Sequence, residues 1–114
     1  MIARVWRGQT LPENADAYFK FVTGTVFPEL RTIPGHEGAF VQSRSVNGGT
    51  EFLVTTLWRS MEAIKKFAGE NPDVAVVEPP ARAVLAEFDS FVRHYEVVYG
   101  SESLAGLRTG ASAK

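Results

Sequence analysis

The chain has 114 residues, of which 45% are hydrophobic and 22% charged, enough for one domain with one core. Those values exclude a disordered chain, and the lack of a glycine period excludes a collagen-like one. Twelve basic residues against thirteen acidic ones leave a net charge of -1, without the basic surplus by which nucleic-acid binders neutralise phosphate.

Ile2 to Gln9 is rich in strand formers and reads as a first strand with both faces partly apolar. Pro12-Glu13-Asn14 opens a helix, because proline suits a first turn and Glu13 and Asp16 suit the positive end of the helix dipole. Ala15, Tyr18, Phe19, Val22 and Val26 recur at three- and four-residue steps as one apolar stripe. Pro28 lacks the donor that would bond the carbonyl of Gly24, so a kink or restart is expected between Gly24 and Phe27. Pro34-Gly35 ends the helix.

Gly38 to Val46 and Thr50 to Trp58 read as two strands joined by Asn47-Gly48-Gly49, a hairpin signal. In the second of these, Phe52, Val54, Thr56 and Trp58 alternate with Glu51, Leu53, Thr55 and Leu57. Both sets are largely apolar, so both sheet faces need cover. Ser60 is a good N-cap for a helix over Met61 to Ala68, with Ala63, Ile64 and Phe67 as its buried stripe and Gly69 as its stop. Residues Asn71 to Pro80 are irregular, Pro79-Pro80 starts a helical turn through Val84 and Leu85, and Phe91 to Tyr99 is the last strand. Residues 1–100 form the domain, and the Ser-, Gly- and Ala-rich stretch 101–114 reads as a loosely held tail.

The order is β-α-β-β-α-β, the ferredoxin-like arrangement: a four-stranded antiparallel sheet with helices on one face. The second apolar face would rarely meet water on a monomer, so dimerisation through the sheets is expected. Neither of two other uses of this arrangement fits. An RNA-recognition module needs a basic, aromatic strand on which bases stack, and Thr50 to Trp58 has no basic residue. A phosphate cradle after the first strand would need more glycine than Arg7-Gly8-Gln9-Thr10-Leu11 supplies.

No cysteine is present, which excludes disulfides, thiolate metal sites and cysteine nucleophiles. Two separated histidines set no metal-ligand spacing, and no metal is expected. No apolar run approaches the roughly 20 residues of a membrane span. The opening Met1-Ile2-Ala3-Arg4-Val5-Trp6-Arg7 lacks the apolar core of a signal peptide and reads as a cytoplasmic N-terminus.

Five fragments fall in a telling order: Trp6-Arg7-Gly8; Asn14-Ala15-Asp16-Ala17-Tyr18; Pro34-Gly35; Leu57-Trp58-Arg59-Ser60 with Glu62-Ala63-Ile64 and Phe67-Ala68-Gly69; and His94-Tyr95-Glu96-Val97-Val98. Together they resemble the antibiotic biosynthesis monooxygenase family, within the dimeric α+β barrel superfamily. The resemblance spans nearly all of Ile2 to Tyr99. It implies a homodimer with facing sheets and an apolar cavity between sheet and helices in each subunit. It also implies oxidation of a flat aromatic phenol, quinol or polyketide-type molecule by molecular oxygen, with no cofactor. The absence of a dinucleotide fingerprint or Walker-type loop agrees with that expectation. The rival expectation is a non-catalytic, dimeric small-molecule-binding or stress-associated protein on the same scaffold. A haem-degrading branch of the superfamily combines Asn, Trp and His. Trp58 resembles that Trp, but the first strand has no Asn and Met61 to Ala68 has no His.

The site residues follow from this reading. His94 is the candidate base, with a free pKa near neutrality; the other reading is a strand histidine bonded at the dimer interface or to Glu96. Trp58 is either a cavity wall for a flat substrate or core packing. Trp6 is a second wall or interface packing. Tyr18 is a core residue with a hydroxyl available to the cavity, and His36 stands at a cavity mouth or in a solvated turn. Arg44 and Arg93 are expected to pair across the dimer, with Glu51 or Glu96.

Overall fold

The computed structural model describes residues 1–101. Its strands are β1 (Ile2–Thr10), β2 (His36–Val46), β3 (Gly49–Trp58), β4 (Glu87–Phe88) and β5 (Arg93–Glu96). Its α-helices are α1 (Ala15–Phe21), α2 (Phe27–Leu30), α3 (Met61–Ala68) and α4 (Pro79–Val84). The sheet is antiparallel, ordered β2-β3-β1, with β4 and β5 both paired to the free edge of β1. This is the expected ferredoxin-like α+β arrangement, with its fourth strand in two pieces. The tail expected over 101–114 lies, apart from Ser101, outside the described residues.

The local signals translate directly. Ser60 accepts a hydrogen bond from the Ala63 N–H at 3.2 Å, and α3 runs from Met61 to Ala68 as its cap and stop imply. A single 3-10 turn, Pro12–Asn14, leads into α1. The expected kink is a π-helical turn over Val22–Val26, in which the Phe27 N–H reaches back five residues to the Val22 carbonyl. The wide turn lies directly before Pro28, whose missing N–H leaves the regular ladder without its next rung.

Three expectations are corrected. Phe19, placed on the buried stripe, is 47% exposed. Tyr18 and Val22 carry the burial, because the kinked helix lays only a narrow stripe on the sheet. The last strand begins at Glu87 and is broken, and Phe91 is 64% exposed. There the chain leaves β1 to bond an incoming segment instead: Val92 N–H donates to the Asp73 carbonyl at 2.8 Å and Ala75 N–H to the Ser90 carbonyl at 2.9 Å. Arg44 does not need a partner subunit for its ion pair. It pairs across the β2–β3 hairpin with Glu51, which also pairs with Arg7, and these two guanidinium groups hold the Glu51 carboxyl below its ordinary pKa.

Strand register sorts the side chains. Arg4, Trp6 and Gly8 stand opposite Thr56, Val54 and Phe52 and face the helices. Arg7 stands opposite Leu53 on the other face, with Glu51 and Arg44. The helix side holds two buried clusters. One joins Tyr18, Val22, Phe52 and Ala81; the other joins Leu30, Trp58, Ala63 and Ile64.

Candidate functional site

A cavity of about 290 Å³ lies between the helix-facing side of the sheet and the helical layer. Its size is at the lower end of the range for small-molecule sites, about 300–1,000 Å³. Strands supply its floor: Val54 and Thr56 from β3, Trp6 and Arg4 from β1. Tyr18 and Phe21 of α1 and Phe67 of α3 add aromatic walls, and Glu29 and Glu78 bring carboxylates to the lining.

Trp6 is fixed at both ends. Its indole N–H donates to the Asp89 carbonyl at 2.9 Å, and its ring lies 6.3 Å from Tyr18 and from Phe88. The ring also lies over Gly8, where an added Cβ would overlap the indole, so the glycine makes room for the wall. Tyr18 packs on Phe52 at 4.8 Å, and burial raises its phenol pKa. Two of the expected substrate-binding residues, Trp6 and Tyr18, are thus brought together on one cavity.

The other two meet elsewhere. Trp58 is fully buried, stacks on Phe67 at 5.7 Å, meets the edge of His36 at 5.0 Å, and donates its indole N–H to the Thr56 hydroxyl at 2.8 Å. His36 Nδ1 is buried and has no hydrogen-bond partner among the described residues. Burial lowers the His36 pKa; Glu37 opposes the shift and Arg31 adds to it. Trp58 and His36 therefore pack beside the cavity, and the lining on that side is Phe67 and Thr56.

His94 stands opposite Arg4 in the β1–β5 register. Its Nε2 is 3.0 Å from Arg4 Nη1 and its Nδ1 is 3.3 Å from Asp73 Oδ1. A guanidinium only donates, so Nε2 accepts, and the proton of the neutral ring sits on Nδ1 facing Asp73. Burial lowers the His94 pKa, the Arg4 charge lowers it further, and Asp73 opposes both. The side chain that reaches the cavity here is Arg4, not His94.

Arg4 was not among the residues singled out from the sequence. It is 4% exposed. It donates from Nη1 to the Pro72 carbonyl and from Nη2 to the Val74 carbonyl at 3.0 Å, and lies 5.7 Å from the Phe67 ring centroid. Desolvation brings its pKa down to about 10, against the opposing charge of Asp73, so it is still cationic at neutral pH. The missed signal was strand alternation: Arg4 is two residues from Trp6 and so shares its face. Among the described residues no group of three or more His, Asp or Glu side chains converges as a metal site, and no helix is long and apolar enough to cross a membrane.

No curated protein sequence matches the chain. Solved structures do share its fold. A Bacillus cereus protein named as an antibiotic biosynthesis monooxygenase is 18% identical, with a TM-score of 0.62, and the match covers 89% of this chain and 94% of that one. A monooxygenase from the gene ActVA-Orf6 of Streptomyces coelicolor, in complex with nanaomycin D, is 18% identical with a TM-score of 0.57, covering 88% of each chain. The heme-degrader MhuD of Mycobacterium tuberculosis, with two hemes bound in its active site, is 19% identical with a TM-score of 0.56, covering 89% and 99%. At these identities the likeness is one of fold. The sequence itself decides the family: a model of the antibiotic biosynthesis monooxygenases matches residues 1–72, more than half of the chain, and the chain belongs to that family.

Proposed function

We propose that this protein is a cofactor-independent monooxygenase that oxidises a flat aromatic phenol or quinol with molecular oxygen, working as a homodimer. The observation that carries the reading is the cavity walled by Trp6, Tyr18, Phe21 and Phe67, an aromatic slot with few polar groups. An electron-rich phenolate or enolate can pass an electron to oxygen directly. The protein then has to bind the ring, favour its anion and exclude water. With an anthrone as substrate the reaction balances without an external reductant: one oxygen atom becomes the new ring carbonyl, the other leaves as water, and the substrate supplies all the electrons.

In this reading Trp6 and Tyr18 stack against the substrate. Trp58 and His36 support Phe67 from behind. His94 acts through Arg4. The nanaomycin D complex of the Streptomyces relative supports an aromatic ligand for this cavity. Haem is a poorer fit, because the cavity lining contains no histidine to hold its iron. The homodimer rests on the second sheet face, where Leu53 is 37% and Tyr95 55% exposed.

Oxygen uptake by metal-stripped protein, given an anthrone or a dihydroxynaphthalene under isotopically labelled oxygen, tests the activity. One labelled atom in the product is the expected result. Phenols and quinols that bind without any oxygen uptake would replace this reading with a non-catalytic binding protein. Light scattering at micromolar concentration should report a dimer, and a stable monomer would remove the barrel.

A further inference from the structure

We propose that Arg4 is the anion-holding residue of the cavity, so that the aromatic ligand is bound as its oxyanion with the negative oxygen against the Arg4 guanidinium. This rests on the reading of the cavity as an aromatic-phenol site and names the residue and the ionisation state of its ligand.

A guanidinium has five N–H groups, and the hydrogen bonds of Arg4 use three: to the Pro72 carbonyl, the Val74 carbonyl and His94 Nε2. The two that remain are one on Nε and one on Nη2, neighbouring nitrogens that one anionic oxygen can bridge. Among the described residues no carboxylate forms a direct ion pair with Arg4. Asp73 acts on it as a charge without contact; its carboxylate lies 3.3 Å from His94 Nδ1 and is largely exposed. A charge that is 4% exposed and lacks a contacting counter-ion is costly unless something anionic arrives beside it.

The guanidinium is also held in place before a ligand enters. Its two carbonyl partners lie on the segment that Val92 and Ala75 tie to the last strand by backbone hydrogen bonds. His94 can accept from Arg4 only through a neutral ring with its proton on Nδ1; burial and the Arg4 charge favour the neutral ring, and Asp73 beside Nδ1 favours that tautomer. His94 is thus a positioning residue for Arg4. When a phenol ionises on binding, its proton leaves to solvent and its electron pair stays on the oxygen beside Arg4. No redox step is involved, so the event can be observed without oxygen.

The test is an anaerobic titration of the protein with a nitronaphthol, whose phenolate absorbs in the visible, alongside its methyl ether, which cannot ionise. The wild-type protein should bind the phenolate about 10- to 1,000-fold more tightly than the neutral phenol, the range produced by one opposite charge within about 4–6 Å. Arg4→Met should bind the methyl ether as before and lose the phenolate preference, and Arg4→Lys should keep much of it. A purely structural role would change the melting temperature and leave the preference intact. A wild-type protein that binds neutral phenol as tightly as phenolate, or binds neither, overturns the proposal whether or not Arg4→Met folds. The two readings fail separately. A strong phenolate preference without oxygen uptake removes the oxygenase and keeps Arg4 as anion holder, whereas oxygen uptake without the preference does the reverse.

Discussion

Two stretches of one sheet face differ. Phe52, Val54, Thr56 and Trp58 alternate along β3 beneath the helical layer, yet the layer closes over Phe52 and Trp58 and leaves a void between them, over Val54 and Thr56. Around Trp58 the packing is complete: Trp58 and Ile64 have no exposure, and Leu30 has 2%. The cover there is a regular, capped helix. Gly35, at φ 95°, lets the chain pass against Ala63, where an added Cβ would collide with the Ala63 methyl. Around Val54 the cover is a π-helical turn and the irregular stretch between α3 and α4, and the cavity of about 290 Å³ stays open. Identical alternation along a strand thus yields core or cavity according to the regularity of what lies on top.

The sharpest way to break this contrast is Trp58→Ala. Removing a fully buried indole should cost about 3–5 kcal/mol in denaturant unfolding. A cost below about 1 kcal/mol would mean that this end is as loosely filled as the stretch over Val54. Gly35→Ala comes next, at about 1–2 kcal/mol for placing an L side chain at positive φ, plus the collision with Ala63.

Over the cavity the expectation reverses. Val54→Phe should cost under about 1 kcal/mol, where the same enlargement in a packed core costs about 1–3. It should also weaken aromatic ligands by roughly tenfold or more, because the added ring occupies volume the ligand needs. A large stability loss with binding intact would place the ligand elsewhere.

The smallest effect is a pH dependence with one contributor beside the packed end and one beside the cavity. His36, beside Trp58, and His94, beside Arg4, are both lowered from 6.5, in each case chiefly by burial. The unfolded chain therefore binds more protons than the folded one just below pH 6.5. Stability should be complete above that value and decline as pH falls through it toward the lower folded values. Melting temperatures of the wild type, His36→Gln and His94→Gln between pH 5 and 8 (roughly the histidine range) should show each variant with a shallower slope. A melting temperature that rises on acidification would reverse the sign and contradict the burial of both rings.

Much of the fold was legible because its signals are local. Ser60 and Gly69 bracket α3, Asn47-Gly48 turns the hairpin, and Pro28 puts the irregular turn where the helix loses a donor. The broken last strand was not legible, since the bonds that divert it come from Asp73 and Ala75, remote in sequence from Ser90 and Val92. Within the site, Tyr18 was readable as an aromatic on the apolar stripe of the first helix, whereas Trp6 stood between cavity wall and interface packing until the strand register placed it on the helix side. Arg4 was passed over because an arginine in a strand is ordinarily a surface residue. Only its neighbours across the sheet reveal that it is buried.

The sequence by itself determined the order of elements, the two-sided apolar strands and the family, because caps, turns and alternation are chemistry between residues a few positions apart. Tertiary structure alone decided that Trp58 seals a core while Trp6 walls a cavity, and that His94 faces Arg4. Those outcomes depend on how a kinked helix and a diverted strand lie over one sheet face, and packing between remote segments leaves no mark on local sequence pattern.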